Sequence, residues 1–167
     1  MLRYSNYNIV FQEIPGEVTL AVNLSNCPNR CKGCHSPYLQ QDIGEVFNEH
    51  VLDYFLDKYG NSVTCICFMG GDAEPEEVQR LSTLIRRESN GKLKTGWYSG
   101  KSRLPDNISA KSFDYIKLGP YIERLGGLNK STTNQRFYII ENGEMIEKTF
   151  LFQQRDSVEK SVIRQYT

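Results

Sequence analysis

The sequence predicts an α/β protein whose mostly parallel sheet forms a partial, open (βα) barrel. Strand-like and helix-like patterns alternate between residues 17 and 118, as they do where crossover helices join parallel strands. The run over residues 63–69 is continuously apolar and β-prone, as a strand buried on both faces should be. A chain of 167 residues is too short for the eight βα units of a closed barrel, so the barrel stays open.

The elements follow in order. Residues 1–16 are polar and aromatic and end in a Pro15-Gly16 turn signal. Residues 17–24 are rich in β-formers and read as the first strand. A helix is expected over 47–59, where Phe47, Val51, Phe55 and Tyr59 recur at four-residue steps with Leu52 and Leu56 beside them. The central strand at 63–69 carries Cys65 and Cys67 at period two, so both face one way as small buried hydrophobes. A second helix starts near Glu74 or Pro75, since proline suits the first turn and Glu74, Glu76 and Glu77 suit the positive end of the dipole. Its stripe is Val78, Leu81, Leu84 and Ile85, and Asn90-Gly91 ends it. Strands follow at 92–99 and 113–118, with a short connection between them. A polar, Gly-rich loop covers 121–134. A strand at 136–140 turns at Glu141-Asn142-Gly143, and a returning strand is expected near 149–152 before a polar tail. The whole reads as one domain over 1–167, with a core of about 15–140 and a C-terminal hairpin and tail of about 141–167.

Composition narrows the function. Lys+Arg and Asp+Glu are both 20, so no basic field points to direct nucleic-acid binding. The N-terminal residues carry no apolar signal core, and the longest apolar run is too short to span a bilayer. Five cysteines, three of them crowded into one loop, read as a metal site in a reducing cytoplasm and not as a disulfide framework.

That loop runs Cys27-Pro-Asn-Arg-Cys31-Lys-Gly-Cys34, directly after the first strand. Spacings of four and three let a folded loop turn all three sulfurs to one point. Thiolates suit iron–sulfur clusters, zinc or copper(I). Structural zinc and ordinary ferredoxin clusters take four protein ligands; three leave one corner open for another ligand. The competing possibility is a zinc loop completed by His35 or a distant cysteine. A second motif, Gly70-Gly71-Asp72, follows the central strand. Two glycines let backbone groups approach a ligand, and Asp72 could hold a ligand ammonium or cap the next helix. Trp97 and Tyr98, ending the third strand, could stack on adenine or pack in the core. Arg30 and Lys32 could steer an anionic electron donor or be solvated loop charges. His50 reads as an exposed or satisfied helix histidine.

On these residues the chain resembles the radical S-adenosylmethionine (SAM) enzymes. Cys27, Cys31 and Cys34 match their cluster motif, and Gly70-Gly71-Asp72 matches their glycine-glycine-acid segment. The run from Cys31 to Pro37 and the Thr133-Asn134-Gln135-Arg136 stretch look like the activating proteins of anaerobic ribonucleoside-triphosphate reductase. Gly33 stands where many superfamily members carry an aromatic, and fits those activators. Asn26 replaces a common glycine, and Leu118 an expected acid.

The resemblance implies a fold of the radical SAM type and a [4Fe-4S] cluster held by Cys27, Cys31 and Cys34. The open iron would chelate S-adenosyl-L-methionine. Gly33, Cys34, His35, Gly70, Gly71, Asp72 and Asn134 would contact it. Reductive cleavage would give methionine and a 5′-deoxyadenosyl radical, which would take a hydrogen atom from a glycine of the partner reductase. A reduced flavodoxin- or ferredoxin-like protein would supply the electron. No catalytic residue is needed beyond the cluster and SAM. The alternatives are a radical SAM enzyme for another glycyl-radical partner or a small metabolite, and a non-catalytic zinc or iron–sulfur binding module.

Overall fold

The computed structural model describes residues 1–153. Its elements are β1 (Arg3–Val10), β2 (Thr19–Leu24), β3 (Glu45–Val46), α1 (Glu49–Tyr59), β4 (Cys65–Met69), α2 (Pro75–Glu88), β5 (Lys94–Tyr98), β6 (Tyr115–Leu118), β7 (Arg136–Glu141) and β8 (Glu144–Glu147). The described strands form one sheet in the order β3-β1-β2-β4-β5-β6-β7-β8.

Parallel pairing joins only β2, β4, β5 and β6. The other four pairings are antiparallel, so the expectation of a mostly parallel sheet is met in its centre and not at its flanks. The β7–β8 pair is closed by a tight hairpin, whereas β2, β4 and β5 are joined by crossovers that carry α1 and α2, as parallel neighbours require. The first 16 residues, expected to be irregular, contain β1. A register shift between Tyr4 and Asn6 breaks its period-two pattern, while Tyr4 and Tyr7 pack on the core. The returning strand is β8, nearer the turn than the expected 149–152, and residues 150–153 are helical. Gly143, at φ +82°, makes the tight turn that lets pairing begin at once. The expected tail lies outside the described residues from 154 onward.

Both helices lie against one face of the sheet. Leu52 and Phe55 of α1 and Val78, Leu81 and Ile85 of α2 are fully buried there with Ile66, Phe68 and Trp97. Asn48 caps α1 by accepting from the Val51 N–H at 3.2 Å. In α2, Pro75 opens the first turn, with Glu76 and Glu77 there and Arg86 and Arg87 in the last, so charge complements the dipole at both ends. Strand alternation sends Cys65 and Cys67 to the opposite face, against Ile14, Tyr115 and Phe137.

The parallel strands start at a closed polar network. Lys94 donates to Glu17 Oε1 at 2.6 Å, and the Tyr115 hydroxyl donates to the same oxygen at 2.5 Å. The Thr64 hydroxyl donates to Glu17 Oε2 at 2.5 Å. Burial alone would raise the Glu17 carboxyl, but these three donors outweigh it and hold the group below its ordinary range. The same strands end together at the opposite edge, at Leu24, Met69, Tyr98 and Leu118. Among the described residues no helix is long and apolar enough to cross a membrane.

Candidate metal and cofactor site

The cysteine loop leaves the end of β2 and folds back on a 3₁₀ turn at Pro37–Gln40. Cys27 N–H donates to the Leu39 carbonyl at 2.9 Å, and Asn26 N–H to that of Gln41 at 2.9 Å. Asn26 sits at φ +58°, a left-handed conformation that asparagine tolerates. This accounts for its standing in place of a glycine. Arg30 at φ +47° and Gly33 at φ +75° make the further turns that bring Cys31 and Cys34 back toward Cys27.

The three thiols line one pocket with Leu24, Leu39 and Met69. Two N–H groups point at sulfur: Ser36 N to Cys34 Sγ at 3.4 Å, and Asn29 Nδ2 to Cys27 Sγ at 3.6 Å. Among the described residues, no three His, Cys, Asp or Glu side chains gather closely enough to hold one metal ion. The expectation that the loop turns its three sulfurs to one place agrees with their lining a single pocket. A four-iron cluster does not need them on one ion, because each thiolate binds a different iron. The donors fit such a group: soft sulfurs, apolar walls and N–H groups aimed at sulfur are what hold and tune iron–sulfur clusters.

The fourth ligands considered for zinc lie elsewhere. The His35 ring packs at a steep angle against that of Tyr121, with centroids 5.0 Å apart. Cys65 and Cys67 are fully buried on the sheet face away from the helices, and burial pushes both thiols well up. They pack as small hydrophobes.

Gly70-Gly71-Asp72 follows β4 beside this loop, and Gly70 lines the same pocket. Gly70 (φ +104°) and Gly71 (φ +89°) both adopt conformations that disfavour side chains. The Gly70 N–H donates to the Tyr98 carbonyl at 2.9 Å, and its carbonyl accepts from the Trp97 indole at 2.8 Å. A Cβ on Gly71 would lie 2.5 Å from Val78 and 2.8 Å from Leu24. The second glycine is thus required by the core beneath it. Trp97 is fully buried and stacked on Phe113, so it fixes this turn and is not available to stack on adenine. The Tyr98 hydroxyl donates to the Glu13 carbonyl.

Asp72 does not cap α2; the cap position is Glu74, without a side-chain hydrogen bond. Its carboxylate instead accepts three bonds, from Ser99 Oγ at 2.5 Å, Gly100 N at 2.8 Å and Asn29 Nδ2 at 2.5 Å. It ties the end of β5 to the cysteine loop. Asn134 lies across the strand ends, its Nδ2 donating to the Pro120 carbonyl at 3.0 Å. Its Oδ1 is buried and finds no partner among the described residues.

Lys117, which sequence reasoning passed over, is buried in β6 and donates to the Gly119 carbonyl at 2.7 Å. Burial lowers it to about 8, against the opposing attraction of Asp72 and the thiols of Cys31, Cys27 and Cys34. The available signal was a lysine inside the four-residue strand Tyr115–Leu118, all of which is buried. Gly33 abuts Glu123: a Cβ there would lie 3.1 Å from the Glu123 carboxyl carbon. The loop after β6 thus packs on the cysteine loop. Arg30, Lys32 and His50 are exposed.

A family model described as a 4Fe-4S single cluster domain matches residues 15–116, more than half of the chain. The chain belongs to this family and is an iron–sulfur protein. Comparison with curated proteins and with solved structures gives no match.

Proposed function

We propose, from membership of the 4Fe-4S single cluster domain family, that this protein is a radical SAM activating enzyme. Its substrate would be a glycine of anaerobic ribonucleoside-triphosphate reductase. In this reading the sheet is a partial barrel of the radical SAM type, and Cys27, Cys31 and Cys34 hold the [4Fe-4S] cluster. The observation that carries it is a donor set of three: the thiols line one pocket with Gly70, while the two remaining cysteines are buried away from it.

When bound, the cluster and SAM would supply one-electron reductive chemistry able to abstract a hydrogen atom from the partner's glycine. The chain's own work is placement. Trp97 holds the Gly70 carbonyl at the pocket edge, and that oxygen keeps a lone pair for the methionine part of SAM. Backbone groups of Gly33, Cys34, His35 and Gly71 would frame the ligand. Asp72 acts by fixing the turn against the cysteine loop. The unpartnered Asn134 Oδ1 would accept from a ligand donor. Lys117 supplies positive charge behind the thiols. A reduced flavodoxin- or ferredoxin-like protein would bring the electron.

Electron paramagnetic resonance tests this. Reconstituted protein, SAM, a strong reductant and the reductase should give a glycyl doublet, absent with Cys34→Ala. If no doublet forms with a fully loaded, reduced cluster, the reductase is not the partner.

A further inference from the structure

We propose that Asn29 is a positioning residue that orients Cys27 and raises the reduction potential of the cluster it holds. The proposal rests on Cys27 being a cluster ligand, as read above.

Asn29 lies at the centre of the cysteine loop, two residues after Cys27. Its orientation is dictated by chemistry: a carboxylate only accepts, so the nitrogen must face Asp72 Oδ2, which it does at 2.5 Å. The same nitrogen carries a second hydrogen, and it faces Cys27 Sγ at 3.6 Å. One amide thus spans the distance between the Gly70-Gly71-Asp72 turn and the first thiol.

The carboxamide is held from the far side as well. A Cβ on Gly100 would lie 2.4 Å from Asn29 Nδ2 and 2.9 Å from its Cγ, so the amide lies flush against Gly100 and a side chain there would displace it. Gly100 N–H and Ser99 Oγ meanwhile hold Asp72 in place. The donor aimed at Cys27 is therefore backed by a carboxylate that two further groups immobilise.

A fixed N–H donor on a cluster sulfur stabilises the more electron-rich, reduced cluster and raises its potential. The electron comes from whatever reductant delivers it, and no bond is made or broken at Asn29. Asn29→Ala deletes the donor. Asn29→Asp keeps the shape but sets a second carboxylate against Asp72 and the thiolate.

The test is a redox titration of anaerobically reconstituted full-length protein, without SAM, followed by electron paramagnetic resonance with a low-potential chemical reductant. Iron content and the melting temperature of the cluster-free chain are measured alongside. Asn29→Ala is expected to hold wild-type iron and to lower the equilibrium constant for one-electron reduction about tenfold, a shift of about 59 mV. Asn29→Asp should shift it further the same way, or lose iron while the cluster-free chain melts as wild type. Variants that keep their iron at an unshifted potential overturn the proposal. So does iron loss accompanied by an equal loss of stability in the cluster-free chain, which marks a purely structural role. A Cys27→Ala chain that keeps four irons at the wild-type potential would instead overturn the reading of Cys27 as a ligand.

Discussion

The two ends of the parallel strands are built from similar parts to different purposes. At their start, Lys94 meets the Glu17 carboxylate, and Tyr115 and Thr64 fill the remaining acceptor positions. Charge and hydrogen bonding close within the protein. At their far edge, Lys117 donates to the Gly119 carbonyl, and the carboxylate near it, Asp72, is taken by Ser99, Gly100 and Asn29. Cys31, Cys27 and Cys34 lie close enough to act on the same ammonium. Cysteines divide the same way: Cys65 and Cys67 are buried with raised thiols, while Cys27, Cys31 and Cys34 are partly exposed around one pocket. The first end is a stability device, and the second, in the proposed reading, is organised for anionic, metal-bound sulfur.

Substitutions can break this contrast. The largest effect is expected from the loop cysteines: Cys34→Ala should abolish the four-iron cluster while the cluster-free chain keeps its melting temperature. Cys67→Ala should do the reverse, keeping the iron and costing about 1–2 kcal/mol of stability through a small cavity. Iron analysis and thermal melts of both variants check the pair. Gly71→Ala comes next. It combines a left-handed backbone with the overlap on Val78 and Leu24, and should cost about 2–4 kcal/mol in denaturant unfolding.

At the opposite end, Glu17→Gln removes the anion that three donors share, and should cost about 2–3 kcal/mol. The pH dependence has a definite sign. The Glu17 carboxyl is depressed in the folded state, so its contribution is present above the ordinary carboxylate range, about pH 4.3, and is lost as pH falls through the folded value. Unfolding measured between about pH 2 and 5 should therefore be flatter in Glu17→Gln than in wild type. The smallest effect is expected at Lys117. Lys117→Met should leave the cluster-free chain within about 1 kcal/mol of wild type, because losing the burial cost of an ammonium offsets the lost hydrogen bonds. It should nonetheless disfavour cluster reduction by about 1–2 kcal/mol, the worth of one nearby positive charge. An unchanged potential would show that Lys117 serves the fold alone.

The central strands were legible because β4 lies in an apolar run that announces burial on both faces, while β2 is rich in β-formers and β6 ends at a Gly119-Pro120 turn signal. Both helices were legible from their stripes. β1 was not, because the shift between Tyr4 and Asn6 disturbs its alternation. The cysteine loop and the glycine pair were visible as local motifs. What Asp72 does was not, because its partners Asn29, Ser99 and Gly100 come from distant stretches that only the parallel register brings to one edge. The role of Trp97 was hidden for the same reason: a strand-end aromatic looks alike whether it faces a ligand or, as here, reaches beneath a turn to hold a carbonyl.

The most direct measurement is SAM turnover by the reconstituted protein under strong reductant, with methionine and 5′-deoxyadenosine quantified together. Both products are expected in equal amounts from the four-iron protein, and neither from Cys27→Ala, Cys31→Ala or Cys34→Ala. A fully loaded, reduced cluster that leaves SAM intact, or a chain that takes up stoichiometric zinc in place of iron, would contradict it.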